Sequence, residues 1–365
     1  MINRFRTLVD LERASGLDCV ALMPGPNMKY VSGLTLFVSE RPIVAFFPVD
    51  RLPALLLPEL EKGRAAKMTQ GSVDLFSYTD QDGYADAFAR VAQALDLNEK
   101  RIAVEYRHMR VLELRQLEAV APNACFVALE DALPQLRLAK DQDELDAMRG
   151  AIGITERALS DLISQPLTGL TERQVASRLS QLMLDAGADD IAFIIVVAGP
   201  NSADPHKEPS DRPIQAGDLM TIDCGAFWRG YPADITRTFA IGNIADELTK
   251  VYEVVRRANA VGKAAVRPGV AAQEIDRAAR KVIVDAGYGE FFIHRTGHGL
   301  GIEVHEPPYM VEGNEQLLAP AMVFTIEPGI YIPGLGGVRI EDNVVVTQDG
   351  VDCLTSFPRE LMTLG

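Results

Sequence analysis

The chain has 365 residues, 47% of them hydrophobic, and carries a formal net charge of −15. That length exceeds one ordinary core, so two domains are expected, and no stretch is polar enough to read as disordered. The acidic balance disfavours nucleic acid and acidic membranes as partners, and the longest apolar run, residues 191–198, is far too short to span a bilayer.

Residues 1–135 read as an α/β domain. Residues 4–14 have helical spacing through Phe5, Leu8, Val9 and Leu11, and Gly16 stops them. No apolar run follows Arg4 and Arg6, so a secretory signal is not expected. Residues 19–23 suit a buried strand, ended by Pro24-Gly25-Pro26. Residues 43–49 and 54–57 read as two further strands, 85–97 as an amphipathic helix, 101–105 as a strand and 111–120 as a helix. No glycine-rich phosphate loop follows any of these strands. Asn27, Tyr30 and Gly33 read as parts of a structural turn. Cys19, Cys125, Cys224 and Cys353 form no CxxC pair, which suits a reducing compartment, and a cytoplasmic location is expected.

A second domain, residues 136–365, begins at the join. Asp141 with Glu144 is a capping box that opens a helix running to about Ile163, with an apolar stripe through Leu145, Met148, Ile152 and Leu159. Thr171 with Gln174 opens another over residues 172–185, closed by Gly187. Strands and turns follow. Residues 218–224 alternate, with Thr221 and Asp223 on one face and Ile222 and Cys224 on the other. Gly225 and Gly230 are expected to bracket a turn, after which Asp234, Thr236 and Thr238 share a face. If the two strands pair, Asp223 and Asp234 point to one side, with Thr236 as a supporting donor.

Three more segments carry polar residues in apolar settings. His298-Gly299-Leu300-Gly301 begins a stretch with a second imidazole at His305, and Glu306-Pro307-Pro308 reads as its stop. The glycines are expected to let the backbone pass close to a bound ion. Glu327 ends a strand cut off by Pro328-Gly329. Arg339 and Glu341 are two apart, hence on one strand face, and the arginine would keep the carboxylate ionised. Four carboxylates, Asp223, Asp234, Glu327 and Glu341, with His298 make a charge set that two divalent ions cancel; a single ion would leave about two buried charges, at several kcal/mol each. Oxygen ligands with one imidazole suit manganese, cobalt, zinc or iron. Two such ions hold a water between them as hydroxide near neutral pH and polarise a carbonyl, which is hydrolytic machinery.

With Asp-Cys-Gly, Asp-Ile-Thr-Arg-Thr-Phe, His-Gly-Leu-Gly-Ile-Glu-Val-His, Ile-Glu-Pro-Gly-Ile-Tyr and Val-Arg-Ile-Glu-Asp in this order, the chain resembles the dinuclear metallopeptidases of the pita-bread fold. These include prolidase, aminopeptidase P and methionine aminopeptidase. The likeness covers nearly the whole chain, and the first third resembles the N-terminal domain of the prolidase, aminopeptidase P and creatinase branch. The resemblance implies an α/β N-terminal domain followed by an α+β pita-bread catalytic domain. It implies two divalent ions, manganese foremost with cobalt or zinc as alternatives, held by Asp223, Asp234, His298, Glu327 and Glu341. Asp234 would bridge the ions, and Glu327 would also act as base. His206 and His305 would hold the scissile carbonyl and the departing proline, His294 and Tyr331 would line the substrate pocket, and Arg339 would orient Glu341.

The implied activity is hydrolysis of the Xaa-Pro bond of a small proline-containing peptide, by a dipeptidase that forms a homodimer. Aminopeptidase P activity on longer peptides, or hydrolysis of a small creatine- or ectoine-type amide, are the alternatives. Dipeptidases of this family often place an arginine soon after the second histidine to hold the substrate carboxylate. Residues 306–309 carry none. Arg295, Lys207, Arg212, Arg339 or a group from a neighbouring subunit would have to serve instead.

Overall fold

A computed structural model describes residues 2–129 and 133–365 and divides into two units, Met1–Arg137 and Leu138–Gly365. In the first unit the order is α1 (Ile2–Ala14), β1 (Cys19–Leu22), α2 (Pro26–Ser32), β2 (Val44–Pro48), β3 (Ala54–Pro58), α3 (Glu59–Thr69), β4 (Asp74–Tyr78), α4 (Ala85–Leu95), β5 (Arg101–Val104), α5 (Val111–Val120), β6 (Cys125–Ala128) and α6 (Gln135–Leu138). Its six strands form one mixed sheet in the order β4-β3-β2-β1-β5-β6. The central strands β1, β2 and β3 are buried along their whole length, which is why they read as uninterrupted apolar runs. The edge strands β4 and β6 are half exposed, and their mixed sequences gave no strand signal. The segment read as a turn around Asn27 and Tyr30 is instead the helix α2. Pro26 starts it and Gly33, at φ 73°, ends it in the left-handed conformation that a proline-first, glycine-last helix uses.

The second unit contains α7 (Gln142–Ile163), α8 (Glu172–Asp185), β7 (Asp190–Ala198), β8 (Leu219–Trp228), β9 (Tyr231–Pro232), β10 (Ile235–Ile241), α9 (Asp246–Ala265) and α10 (Ala272–Asp285). It continues with β11 (Gly297–Gly299), β12 (Glu306–Met310), β13 (Val323–Ile326), β14 (Gly329–Ile332), β15 (Gly336–Arg339), β16 (Asp342–Val346), β17 (Val351–Cys353) and β18 (Thr363–Leu364). Both expected capping boxes form: Asp141 accepts from the Glu144 amide and Thr171 from the Gln174 amide, each returned by the partner side chain. One sheet runs β18-β10-β8-β7 and a second runs β12-β11-β13-β16-β17, with β14 and β15 as a separate ribbon.

Each sheet has one apolar face. Ile222, Cys224 and Phe239 pack with Leu159 and Leu162 of α7 and Val175 and Leu179 of α8. Phe324, Ile326 and Val344 pack with Ala272 and Ile275 of α10. Because side chains alternate along a strand, Asp223 and Thr221 on β8, and Thr325 on β13 with Glu327 beyond its end, project from the opposite faces. The helices thereby bury one side of each sheet and leave the other for polar chemistry.

Two expectations fail here. Gly225 does not begin a turn: β8 continues to Trp228, and the turn falls at Arg229 and Gly230. Gly225 is glycine because a Cβ there would lie 1.9 Å from the Ala233 carbonyl oxygen, between β9 and β10 on the returning chain. Glu306-Pro307-Pro308 is not a stop either. It is the start of β12, which pairs with β11 so that His298 faces Tyr309.

Candidate metal centre

The β8–β10 register sets Thr236 opposite Asp223 and Ile235 opposite Cys224, so Asp234, one residue before Ile235, shares a face with Thr236 and therefore with Asp223. Asn343 on β16 grips Asp234 from both sides, accepting from its amide at 3.2 Å and donating to its carbonyl. His298 comes from β11. Its amide donates to Thr325 Oγ1 at 3.1 Å, and that hydroxyl donates in turn to Glu327 Oε1 at 3.3 Å. Gly299 permits this close strand packing, since a Cβ there would meet the Pro307 carbonyl oxygen at 2.2 Å. The glycine thus makes room for the neighbouring strand.

Charge and protonation show what the cluster requires. His298 Nδ1 lies 3.1 Å from the Gly299 carbonyl. A carbonyl only accepts, so Nδ1 carries the proton and Nε2 presents a lone pair. That lone pair faces Asp234 Oδ2 at 3.5 Å and Glu327 Oε1 at 3.3 Å. Burial holds His298 neutral, well below its ordinary pKa, so its ring offers the carboxylates neither a proton from Nε2 nor a positive charge. Burial, then the neighbouring carboxylates, pushes Asp234 and Glu341 well above the usual carboxylate range. Burial raises Glu327 to about 7 against the opposing pull of Arg339. Asp223 Oδ1 and Glu341 Oε1 are buried without a hydrogen-bond partner. Lone pairs and orphaned oxygens converging without a donor fit cations between them.

The ligand atoms group accordingly. Asp223, Asp234 and Glu341 can each place one oxygen within 4.8 Å of the others, and the same limit holds for a ring nitrogen of His298 with one oxygen each of Glu327 and Glu341. The two groups share Glu341, the pattern of a pair of adjacent ions. A third group, Asp234, His298 and His305, obeys the same limit. His305, whose ring centroid lies 4.0 Å from that of His298, is therefore nearer the ligands than a pocket-wall role required.

The centre opens into a cavity of about 730 Å³ lined by the five expected ligands together with His206, His294, His305, Arg295, Arg339, Phe193 and Ile195. Among the described residues, Tyr331 stands behind this wall instead of in it. It is buried, and its hydroxyl lies 2.9 Å from His294 Nε2 and 2.7 Å from Arg339 Nη1. His294 Nδ1 meets the Arg295 carbonyl at 2.7 Å, so that nitrogen donates, and Nε2 accepts from the tyrosine. Burial pushes His294 down to about 4, consistent with this neutral form. Arg339 also differs from expectation. It makes no direct hydrogen bond to Glu341: its Nη2 donates to Asp223 Oδ2 at 2.6 Å and its Nε to Thr236 Oγ1 at 3.2 Å. Glu341 is held by Thr236, whose hydroxyl donates to Oε2 at 2.7 Å. The two-residue spacing misleads because Arg339 closes β15 whereas Glu341 lies beyond its end, just before β16 in another sheet.

Several supporting residues gave no sequence signal. Asn343 and Thr325 act as described. Asp276 of α10 accepts from both the amide and the hydroxyl of Thr296, two residues before His298. Lys140 Nζ donates to Glu306 Oε1 at 2.7 Å in a buried pair next to His305. A buried Asp with Arg280 four residues later on a helix was a readable pairing; its link to Thr296 was not.

Comparison with known proteins agrees with this geometry. The model of metallopeptidase family M24 matches residues 146–348, and that of the creatinase/prolidase N-terminal domain matches residues 4–139. An Xaa-Pro dipeptidase of Lactobacillus delbrueckii subsp. lactis is 37% identical over 96% of this chain and 96% of its own. The crystal structure of a prolidase from Thermococcus sibiricus superposes with a TM-score of 0.93 at 35% identity, covering 99% of this chain and 98% of that one. An X-Pro aminopeptidase structure from Thermotoga maritima superposes at 0.87 with 32% identity over 99% of each chain.

Proposed function

The chain belongs to metallopeptidase family M24, and from that premise we propose that it is an Xaa-Pro dipeptidase working with two divalent metal ions, manganese foremost and cobalt or zinc as alternatives. The observation that carries the reading is the pair of ligand groups sharing Glu341 at the floor of the cavity. Asp223, Asp234, His298, Glu327 and Glu341 would hold the ions. Bound there, the ions supply an activated water and a Lewis acid for the peptide carbonyl.

The protein's own groups complete the chemistry. Glu327, steadied by Thr325, takes the proton of the attacking water and returns it to the proline nitrogen as the bond breaks. His206 and His305 donate N–H groups to the carbonyl oxygen as negative charge develops on it. His294, fixed by Tyr331 and by the Arg295 carbonyl, shapes the pocket for the proline ring. We place the two domains at residues 1–135 and 136–365, and the enzyme in the cytoplasm as a homodimer. Among the described residues, no helix is long and apolar enough to cross a membrane.

Purified protein loaded with Mn²⁺ is expected to cleave Ala-Pro, to lose activity with a chelator and to regain it on adding metal back. Bound metal without turnover on any Xaa-Pro substrate would refute the reading. Cleavage of creatine- or ectoine-type amides in its place would move the enzyme to that side of the family.

A further inference from the structure

We propose that Asn259, buried on α9, is a positioning residue: its side-chain amide ties together the two chain segments that carry Glu327 and Glu341, and so sets the spacing of those carboxylates for one of the two ions. The inference rests on the metal-centre reading above. It names a residue that is not among the described residues lining the cavity.

The need arises where a strand pairing ends. β13 and β16 are antiparallel, and the pairing stops with Ile326 opposite Asp342. The next position in that register sets Glu327 opposite Glu341. Like charges directly opposite each other repel, and the main chain draws the two segments to different neighbours. The Glu327 amide donates to the Thr296 carbonyl at 2.8 Å, and the Glu341 amide to the Thr236 carbonyl at 3.1 Å. At this point Asn259 Nδ2 donates to the Ile326 carbonyl at 2.9 Å and to the Ile340 carbonyl at 3.2 Å. Those residues immediately precede Glu327 and Glu341. One amide nitrogen thereby carries the cross-link where the strand ladder has stopped.

The helix is shaped to bring the amide there. Asn259 is fully buried in the interior of α9, on the face that holds Val251, Val255 and Gly262. Asparagine is a weak helix former, and its Oδ1 is buried without a hydrogen-bond partner. Packing alone would favour an apolar side chain of the same size; what the asparagine adds is its two N–H donors. Gly262, three residues on, is also unfavourable inside a helix, and a Cβ there would lie 3.2 Å from Ile326 Cγ2. The missing side chain lets α9 approach the end of β13. The aspartates have support of their own: Asp223 sits inside the β8–β10 pairing and Asp234 is gripped by Asn343. Loss of the Asn259 amide therefore bears first on the group formed by His298, Glu327 and Glu341.

The experiment titrates the metal-free protein with Mn²⁺ by calorimetry and with Co²⁺ by visible absorption, and measures kcat and KM for Ala-Pro across Mn²⁺ concentrations. It compares the wild type with Asn259→Leu, Asn259→Ala and Val251→Ala, recording Tm for each; Val251 is a core residue of the same helix, about two turns away. The wild type is expected to bind two ions. In both Asn259 variants the affinity for one ion should fall by roughly 10- to 100-fold, the usual effect of removing a group that holds ligands in place, with the other ion less affected. Their Co²⁺ absorption should change, kcat at low Mn²⁺ should fall with KM little altered, and excess Mn²⁺ should restore it. Val251→Ala should lower Tm and keep wild-type affinity for both ions. Wild-type affinity for both ions in the Asn259 variants overturns the proposal. So does an equal weakening in Val251→Ala, or failure of both Asn259 variants to fold, since either makes the amide part of the scaffold alone. A wild type that binds no ions refutes the metal centre itself, and one that binds two yet leaves every Xaa-Pro substrate intact refutes only the Xaa-Pro reading.

Discussion

Arg339 donates from Nη2 to Asp223 Oδ2 at 2.6 Å, with both residues buried and 116 positions apart in the chain. The same guanidinium reaches Tyr331 and Thr236, so it fixes one metal-centre carboxylate and, through Thr236, steadies a second, Glu341. Removing it strands a buried carboxylate whose other oxygen already lacks a partner.

Arg339→Ala is therefore expected to cost about 3–5 kcal/mol of stability, the range for breaking a buried ion pair from one side, and to lower metal content. Arg339→Lys keeps the charge but cannot span Asp223, Tyr331 and Thr236 together, and should fall between the two. Denaturant unfolding with elemental analysis of the purified variants checks both. Unchanged stability and full metal content in Arg339→Ala would show the pair to be idle.

The histidines should separate by role. His298→Ala is expected to lose metal and activity together. His206→Ala and His305→Ala should lower kcat by roughly 10²–10³ while keeping both ions, as for removal of a donor to developing charge. Because His305 also satisfies the ligand spacing with Asp234 and His298, it is the sharper case. Metal loss in His305→Ala comparable to that in His298→Ala would make it a ligand.

Two glycines predict opposite signs. Gly225→Ala drives a Cβ into the Ala233 carbonyl at 1.9 Å, backbone against backbone between the two strands bearing the aspartates, and should cost roughly 3 kcal/mol or more. Gly153 lies inside α7 with nothing within 4 Å of an added Cβ, so Gly153→Ala should stabilise by about 0.5–1 kcal/mol. Thermal unfolding of the two variants side by side gives the test.

Glu12 supplies a pH dependence remote from the metal centre. It is fully buried, and neither carboxylate oxygen has a partner in hydrogen-bonding geometry, although the Val20 amide and Arg13 lie near enough to favour the anion a little. Burial pushes its pKa up from 4.5 to about 8. The folded state then holds a proton that the unfolded state releases, so stability falls as pH rises from 4.5 to 8 and is level above that. Glu12→Gln should flatten this slope and raise stability at pH 8 by on the order of a few kcal/mol, leaving pH 4.5 nearly unchanged. Parallel pH profiles of Tm for both proteins would expose an error in sign or size.

Much of this molecule was legible in local pattern. The capping boxes at Asp141 and Thr171 span three residues, and the geometry that closes them is contained in one helical turn. The shared face of Asp223 and Thr221, and of Asp234 and Thr236, follows from the period of two in a strand. The buried strands β1 to β3 declared themselves by composition. Four carboxylates and an imidazole amid apolar neighbours demanded cations by charge alone.

What the sequence could not carry were choices made through space. Gly225 reads as a turn because a glycine's local meaning is freedom, whereas here its meaning is the Ala233 carbonyl on the returning chain. Arg339 seemed the partner of Glu341 because they are two apart, but the chain changes sheets between them. The arginine turned to Asp223, 116 positions earlier, and Glu341 took Thr236, 105 positions earlier. Tyr331 withdrew behind the wall to hold His294 and Arg339, and Arg295 came to rest on Tyr309. Residue types and spacing marked out the groups whose burial calls for a cation, because burial of charge is costly wherever it occurs. Only the packed sheets decided which side chain meets which, because a hydrogen bond depends on separations of about 3 Å that sequence distance does not encode.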